Sequence, residues 1–215
     1  MNKQARVHLF DNWAKNYDQS SIDSFPRAGY DHVLNEVARR AEADASMTIL
    51  ELGIGTGNLA MRFVKLGCSV WGTDFSTEML AKAQAKLPQV TLIQADLLDD
   101  WPPEMQRRFD RIVSAYVLHE FDLPTKVRIL RKLADDYLVD DGLIVVGDVA
   151  FETVRIREEA HRRWAKLWDE EEHYWAADEA IVACERVGLQ MFYTQVSSCG
   201  GVFVVVPSCQ PKNMT

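Results

Sequence analysis

The chain has 215 residues, with Lys plus Arg at 24, Asp plus Glu at 32, and a net charge of −8. At that length a single α/β domain is expected, with a core large enough to need no metal or disulfide staple. The acidic balance argues against a protein that binds nucleic acid irrespective of sequence, which needs a basic face. The cysteines, Cys68, Cys184, Cys199 and Cys209, show no C-x-x-C spacing, so reduced thiols are expected and a metal site is not. No apolar run approaches the ~18 residues of a membrane span, and the N-terminus has no signal-peptide core. A cytoplasmic protein follows, with no membrane partner.

In chain order, a short helix is expected over residues 4–18, with Val7, Phe10, Trp13, Ala14 and Tyr17 along one stripe. A loop rich in serine follows, and then a helix from Tyr30 to Ala41. From Met47 short apolar runs alternate with helical stretches. Strands are expected at 47–53, 68–74, 90–96, 109–115 and 142–150, and helices at 58–66, 77–87 and 123–138. A charged helix is expected over 154–167 and another over 178–187, before strands at 189–196 and 201–207. Alternation of this kind builds a parallel sheet with helices on both faces. The link at 197–201 is too short for a crossover, so the last two strands form an antiparallel hairpin. The expected fold is therefore α/β, with a mixed seven-stranded sheet.

The chemistry sits where the first strand meets its helix, in Glu51-Leu52-Gly53-Ile54-Gly55-Thr56-Gly57-Asn58. Glycines there let the chain turn tightly and let a ligand approach the backbone, beside unpaired N–H groups of a helix N-terminus. The spacing is G-x-G-x-G, whereas a dinucleotide site has G-x-G-x-x-G. Glu51 at the strand end repels a pyrophosphate and suits a ligand carrying an ammonium or sulfonium charge. Asp74 ends the second strand, where an acid accepts hydrogen bonds from both hydroxyls of a ribose. Asp96 ends the third, placed to meet an adenine amino group. All three stand at the carboxyl ends of consecutive strands, where open α/β sheets bind ligands.

With ELGIGTGN, GTDFS, QADLL and FDRIVSAYVLHEF in place, the chain resembles the class I S-adenosylmethionine-dependent methyltransferases over residues 47–150. Through DNWAKNYD (11–18), RAGYDHVL (27–34) and GDVAFE (147–152) it is similar to a narrower bacterial group, the YrrT-type methyltransferases. The resemblance implies a Rossmann-like sheet of order 3-2-1-4-5-7-6 and S-adenosyl-L-methionine as cofactor. It implies that Gly53, Gly55 and Gly57 run beneath the methionine part and that Glu51 orients its amino group. Asp74 is implied to hold the ribose, Phe75 to flank the adenine, and Asp96 with Leu97 to meet the adenine edge. Ser114 to Tyr116 are implied to line the donor methyl, with Tyr17 closing over the cofactor. Where the narrower group has two adjacent histidines, this chain has His119-Glu120.

Methyl transfer is an in-line displacement from a good leaving group, so alignment is the main requirement. His119 is the candidate general base, and Tyr116 the candidate for orienting the acceptor. The expected organisation is one domain over 1–215, made of an N-terminal helical lid segment (1–45), a cofactor core (46–150), a substrate cap (151–180) and a C-terminal helix and hairpin (181–215). The acceptor is expected to be a small molecule and not a nucleic acid. A cofactor-binding regulator without catalysis and a nicotinamide-dependent oxidoreductase are the alternatives.

Overall fold

The structure, a computed structural model, describes residues 25–208. The expected helix over 4–18, with Trp13 and Tyr17, and Cys209 lie outside the described residues. Helix α1 (Tyr30–Arg40) leads into β1 (Thr48–Leu52), α2 (Ala60–Lys65), β2 (Ser69–Asp74), α3 (Thr77–Lys86) and β3 (Thr91–Gln94). Then follow β4 (Phe109–Ala115), α4 (Leu123–Asp136), β5 (Leu138–Phe151) and α5 (Val154–Arg163). The chain continues through β6 (Trp175–Ala176), α6 (Ala177–Glu185), β7 (Leu189–Gln195) and β8 (Gly200–Pro207). No helix among the described residues is long and apolar enough to cross a membrane.

The main path of the sheet runs β3-β2-β1-β4-β5-β8-β7. Strands β1 to β5 pair in parallel, and β8 runs antiparallel to both β5 and β7. This is the expected order once the two-residue β6 is set aside. That strand pairs in parallel with Ala150 and Phe151 at the end of β5.

Parallel strands covered on both faces are apolar throughout, and the run in β1 splits by the period of two. Ile49 faces Val113 and Val145 in the layer under α1, while Leu50 and Leu52 face Ile112 and Ile144 in the layer under α4 and α6. Gly147 in β5 has a packing role. A Cβ there would lie 2.6 Å from both Val33 and Val37 of α1, so its absence lets the helix sit directly on the strand.

Strand β3 ends at Gln94, so Asp96 stands in the turn after it and not at its end, and three further boundaries differ from expectation. The second helix is only Ala60–Lys65, because Asn58 and Leu59 are still in the turn that leaves the glycine loop. Strand β5 starts at Leu138, because Leu138 already pairs with Phe109 and the ladder resumes at Leu143 opposite Arg111, with Asp140-Asp141-Gly142 inside the register break between them. Helix α5 stops at Arg163, where Trp164 leaves the helical path and stacks on Phe25 at 4.8 Å.

Overpacking a tight contact costs about 1–3 kcal/mol. Gly147→Ala is therefore expected to lower the unfolding free energy by that amount, read as a lower urea midpoint at unchanged slope, and an unchanged midpoint would show that α1 is not seated on β5.

Candidate active site

The ends of β1, β2 and β4 open onto one cavity enclosing about 590 Å³ of empty space, part of it open to solvent. Gly53, Gly55, Asp74, Phe75, Leu97 and Tyr116 line it, so six of the expected site residues meet there. Gly53 and Gly55 have φ of 60° and 53°, in the left-handed region that side chains disfavour. A Cβ on Gly53 would lie 2.4 Å from Val117, whereas one on Gly55 would meet nothing within 4 Å. Gly55 thus leaves bare backbone facing open space. Gly57 points elsewhere, since its Cβ would stand 2.9 Å from Leu87. It seats the loop on the third helix.

Asp74 is 7% exposed. Its carboxylate accepts the backbone N–H of Gly55 at 2.9 Å and of Ser76 at 2.9 Å. Those bonds fix the acid to the glycine loop. Glu51 is buried in β1 beside it, and its Oε2 has no hydrogen-bond partner among the described residues. Burial, and then the nearby Asp74, push its carboxyl well above the usual range, against a hydrogen bond from the Ala60 backbone.

Asp96 stands between the lining residues Ala95 and Leu97, and its carboxylate accepts the Leu98 N–H at 3.0 Å. The Ser114 hydroxyl is buried and donates to the Leu52 carbonyl at 3.2 Å, bridging β4 to β1 instead of lining the cavity. Tyr116 has a φ of 57°. Such a conformation costs on the order of 1–3 kcal/mol in a bulky residue and concentrates at functional sites. Its ring stacks on Tyr30 at 5.1 Å. Its hydroxyl is buried without a hydrogen-bond partner among the described residues, and burial raises its pKa.

His119 does not line the cavity. Its Nδ1 lies 2.5 Å from Asp148 Oδ1, and its Nε2 lies 3.5 Å from Glu172 Oε1. Burial opposes a charge on the ring, but Asp148 and Glu172 outweigh it and raise the imidazole well above its ordinary value. Sequence reasoning missed Asp148, Glu172 and the lining residues Val117, Glu120 and Phe121. Asp148 left a signal: it is a lone acid inside the apolar run of β5, and a buried acid requires a partner.

A family model described as a methyltransferase domain matches residues 49–139. An uncharacterized methyltransferase of Geobacillus kaustophilus is 32% identical over 204 residues, which are 88% of this chain and 91% of that protein. One from Oceanobacillus iheyensis is 31% identical over 152 residues, 68% of each. Among solved structures, a DhpI–SAH complex superimposes with a TM-score of 0.74 at 18% identity, covering 96% of this chain and 97% of that one. The last likeness bears on the fold, whereas the sequence relatives bear on descent. Together with a glycine loop flanked by two acids at adjacent strand ends, they establish that the chain belongs to the class I S-adenosylmethionine-dependent methyltransferases.

Proposed function

We propose that this methyltransferase acts on a small, uncharged or cationic acceptor. The observation that carries the reading is the cavity lining, which holds the carboxyl groups of Asp74 and Glu120 and no Lys, Arg or His among the described residues. A wall with that composition attracts cations and repels phosphates and carboxylates. It therefore favours a small molecule over a nucleic acid. Buried free thiols at Cys68, Cys184 and Cys199 support a reducing, cytoplasmic setting.

The residues present fit the cofactor. Glu51 offers a buried carboxyl oxygen without a partner among the described residues, and Gly55 offers backbone with open space above it. In this reading Glu51 faces the ammonium, Asp74 accepts from the ribose hydroxyls, and Phe75 and Leu97 flank the adenine with Asp96 beside them. Gly53 and Gly55 floor the site, and Gly57 holds their loop in place. Ser114 fixes the strand that carries Tyr116. Tyr17, outside the described residues, is proposed as a closing residue on the resemblance alone, and residues 151–180 as a cap. When bound, S-adenosylmethionine supplies a methyl group on a positively charged sulfur.

Tyr116 orients the acceptor. Its backbone is strained and its ring is braced on Tyr30, so it presents one fixed surface to the cavity. His119 takes no proton from the acceptor, because both its ring nitrogens face carboxylates away from the lining. Alignment then supplies most of the rate, and the acceptor needs no base if it arrives deprotonated.

Titration calorimetry with S-adenosylmethionine, S-adenosylhomocysteine and NADH tests the cofactor half. Binding of the adenosyl ligands alone is expected, and binding of NADH alone would refute it. Methyl transfer to a panel of neutral, cationic and anionic small molecules tests the acceptor half, and turnover confined to anions would refute that. Asp74→Ala is expected to weaken S-adenosylhomocysteine binding by about 1.5–3 kcal/mol, the range for hydrogen bonds to a charged group. Unchanged affinity would remove Asp74 from the site. Burial holds the Glu51 carboxyl well above its usual range, and an ammonium placed beside it favours the charged form, so binding should release a proton from it. Calorimetry in buffers of different ionisation enthalpy reads that release, and Glu51→Gln should abolish it. Tyr116→Phe removes an unsatisfied buried hydroxyl, so it should stabilise the fold by about 1 kcal/mol while lowering turnover. A variant that is both less stable and fully active would contradict both roles.

A further inference from the structure

A second buried polar group, apart from the cavity lining, centres on Asp148. This side chain is fully buried in β5. Its oxygens accept the backbone N–H of His119 at 2.9 Å, that of Val149 at 2.9 Å and the Trp175 indole N–H at 3.0 Å, besides the His119 ring. The connections continue through the backbone. The His173 N–H donates to the His119 carbonyl at 2.6 Å. Lys126 Nζ donates to the His173 carbonyl and lies 4.2 Å over the Trp175 ring. The stretch that carries Tyr116, Val117, Glu120 and Phe121 along the cavity is thus tied to residues 172–176 through His119.

We infer that His119 is a positioning residue: clasped between Asp148 and Glu172, it holds the 172–176 segment against the cavity wall and so sets the acceptor side of the site. The inference deepens the proposed function and rests on it only for where the cofactor binds. A neutral imidazole has one N–H and one lone pair, so it would turn a lone pair toward one of the two carboxylates. A doubly protonated ring serves both. The ionisable groups around it agree with that state. Asp148 and Glu172 are both held below the usual carboxylate range despite burial, with His119 as the cause. Lys126 faces the cluster from α4, and burial lowers it to about 7. Tyr174 and His173 stand in the clasped segment, and Glu120 follows His119 in the chain. The ring contribution is fully present at acid pH and is lost as pH rises through the folded value, so the clasp is closed at neutrality.

The test needs no acceptor. Full-length protein with nitrogen-15 in its histidines is titrated by NMR. Amide hydrogen exchange is followed in the unaltered chain, in His119→Ala and Glu172→Gln, and in His32→Gln, an exposed position on α1, as a remote control, with and without S-adenosylhomocysteine. The His119 ring should be doubly protonated at neutral pH. In His119→Ala the His173 amide should exchange about tenfold faster, while amides of β1 and β4 keep their rates. Ligand should slow that amide in the unaltered chain and not in His119→Ala. A neutral ring at neutral pH would overturn the inference, as would unchanged exchange at His173. If His119→Ala loses protection throughout, Glu172→Gln decides: faster exchange confined to 172–176 supports the clasp, and no change overturns it. Failure of the unaltered chain to bind S-adenosylhomocysteine would count against the cofactor reading, while the ligand-free measurements still judge the clasp.

Discussion

The burial of one carboxylate organises the half of the molecule that we assign to the acceptor. Asp148 has no exposure to water, and an isolated charge in that position costs far more than a domain can offset. It persists because two backbone N–H groups, an indole and an imidazole surround it. Besides Val149 of β5 itself, those donors belong to two other pieces of chain and bring both to the end of β5. The turn after β4 arrives with His119, and the loop before α6 arrives with Trp175. The two-residue β6 then forms because Trp175 and Ala176 have been brought alongside Ala150 and Phe151. A substitution that removed one donor would leave the charge in place and the segment loose, which is why such networks behave as units.

The two halves of the site were unequally legible in the sequence. The cofactor half is local: Glu51, Gly53, Gly55 and Asp74 stand at strand ends, and strand ends follow from apolar periodicity. Even there, Gly57 and Ser114 turned out to support the loop and strand instead of lining the cavity, because their direction depends on which neighbour they meet. The half proposed for the acceptor is non-local. His119 reads as a candidate general base since its partners, Asp148 and Glu172, lie far along the chain. The lone acid in β5 was visible, but its partner was not. Sheet order was readable because the short 197–201 link permits only a hairpin, while the start of β5 was hidden by two aspartates and a glycine that resemble a turn.

Strain and orphaned groups collect at the same place. Tyr116 adopts a positive φ, and among the described residues its hydroxyl and one Glu51 oxygen have no hydrogen-bond partner. A sequence selected only for stability would have removed both. Their position on or beside the cavity fits a site whose polar groups await a ligand, and the stability they forgo is recovered in the two apolar layers on either face of the sheet.

The hairpin that ends the fold has a consequence for how the protein is made. Strand β8 inserts between β5 and β7 and pairs Ile144 with Val205. Synthesis runs from the N-terminus, so the long apolar β5 is complete while its neighbour on that side has yet to leave the ribosome. Until residues 200–207 emerge, β5 presents an open edge, the feature that natural sheets otherwise guard against joining foreign strands. The nascent chain therefore passes through an interval in which all the cofactor-binding loops exist and the sheet that carries them is unsealed. Arrest or cleavage within that interval would yield an aggregation-prone fragment and not a smaller enzyme.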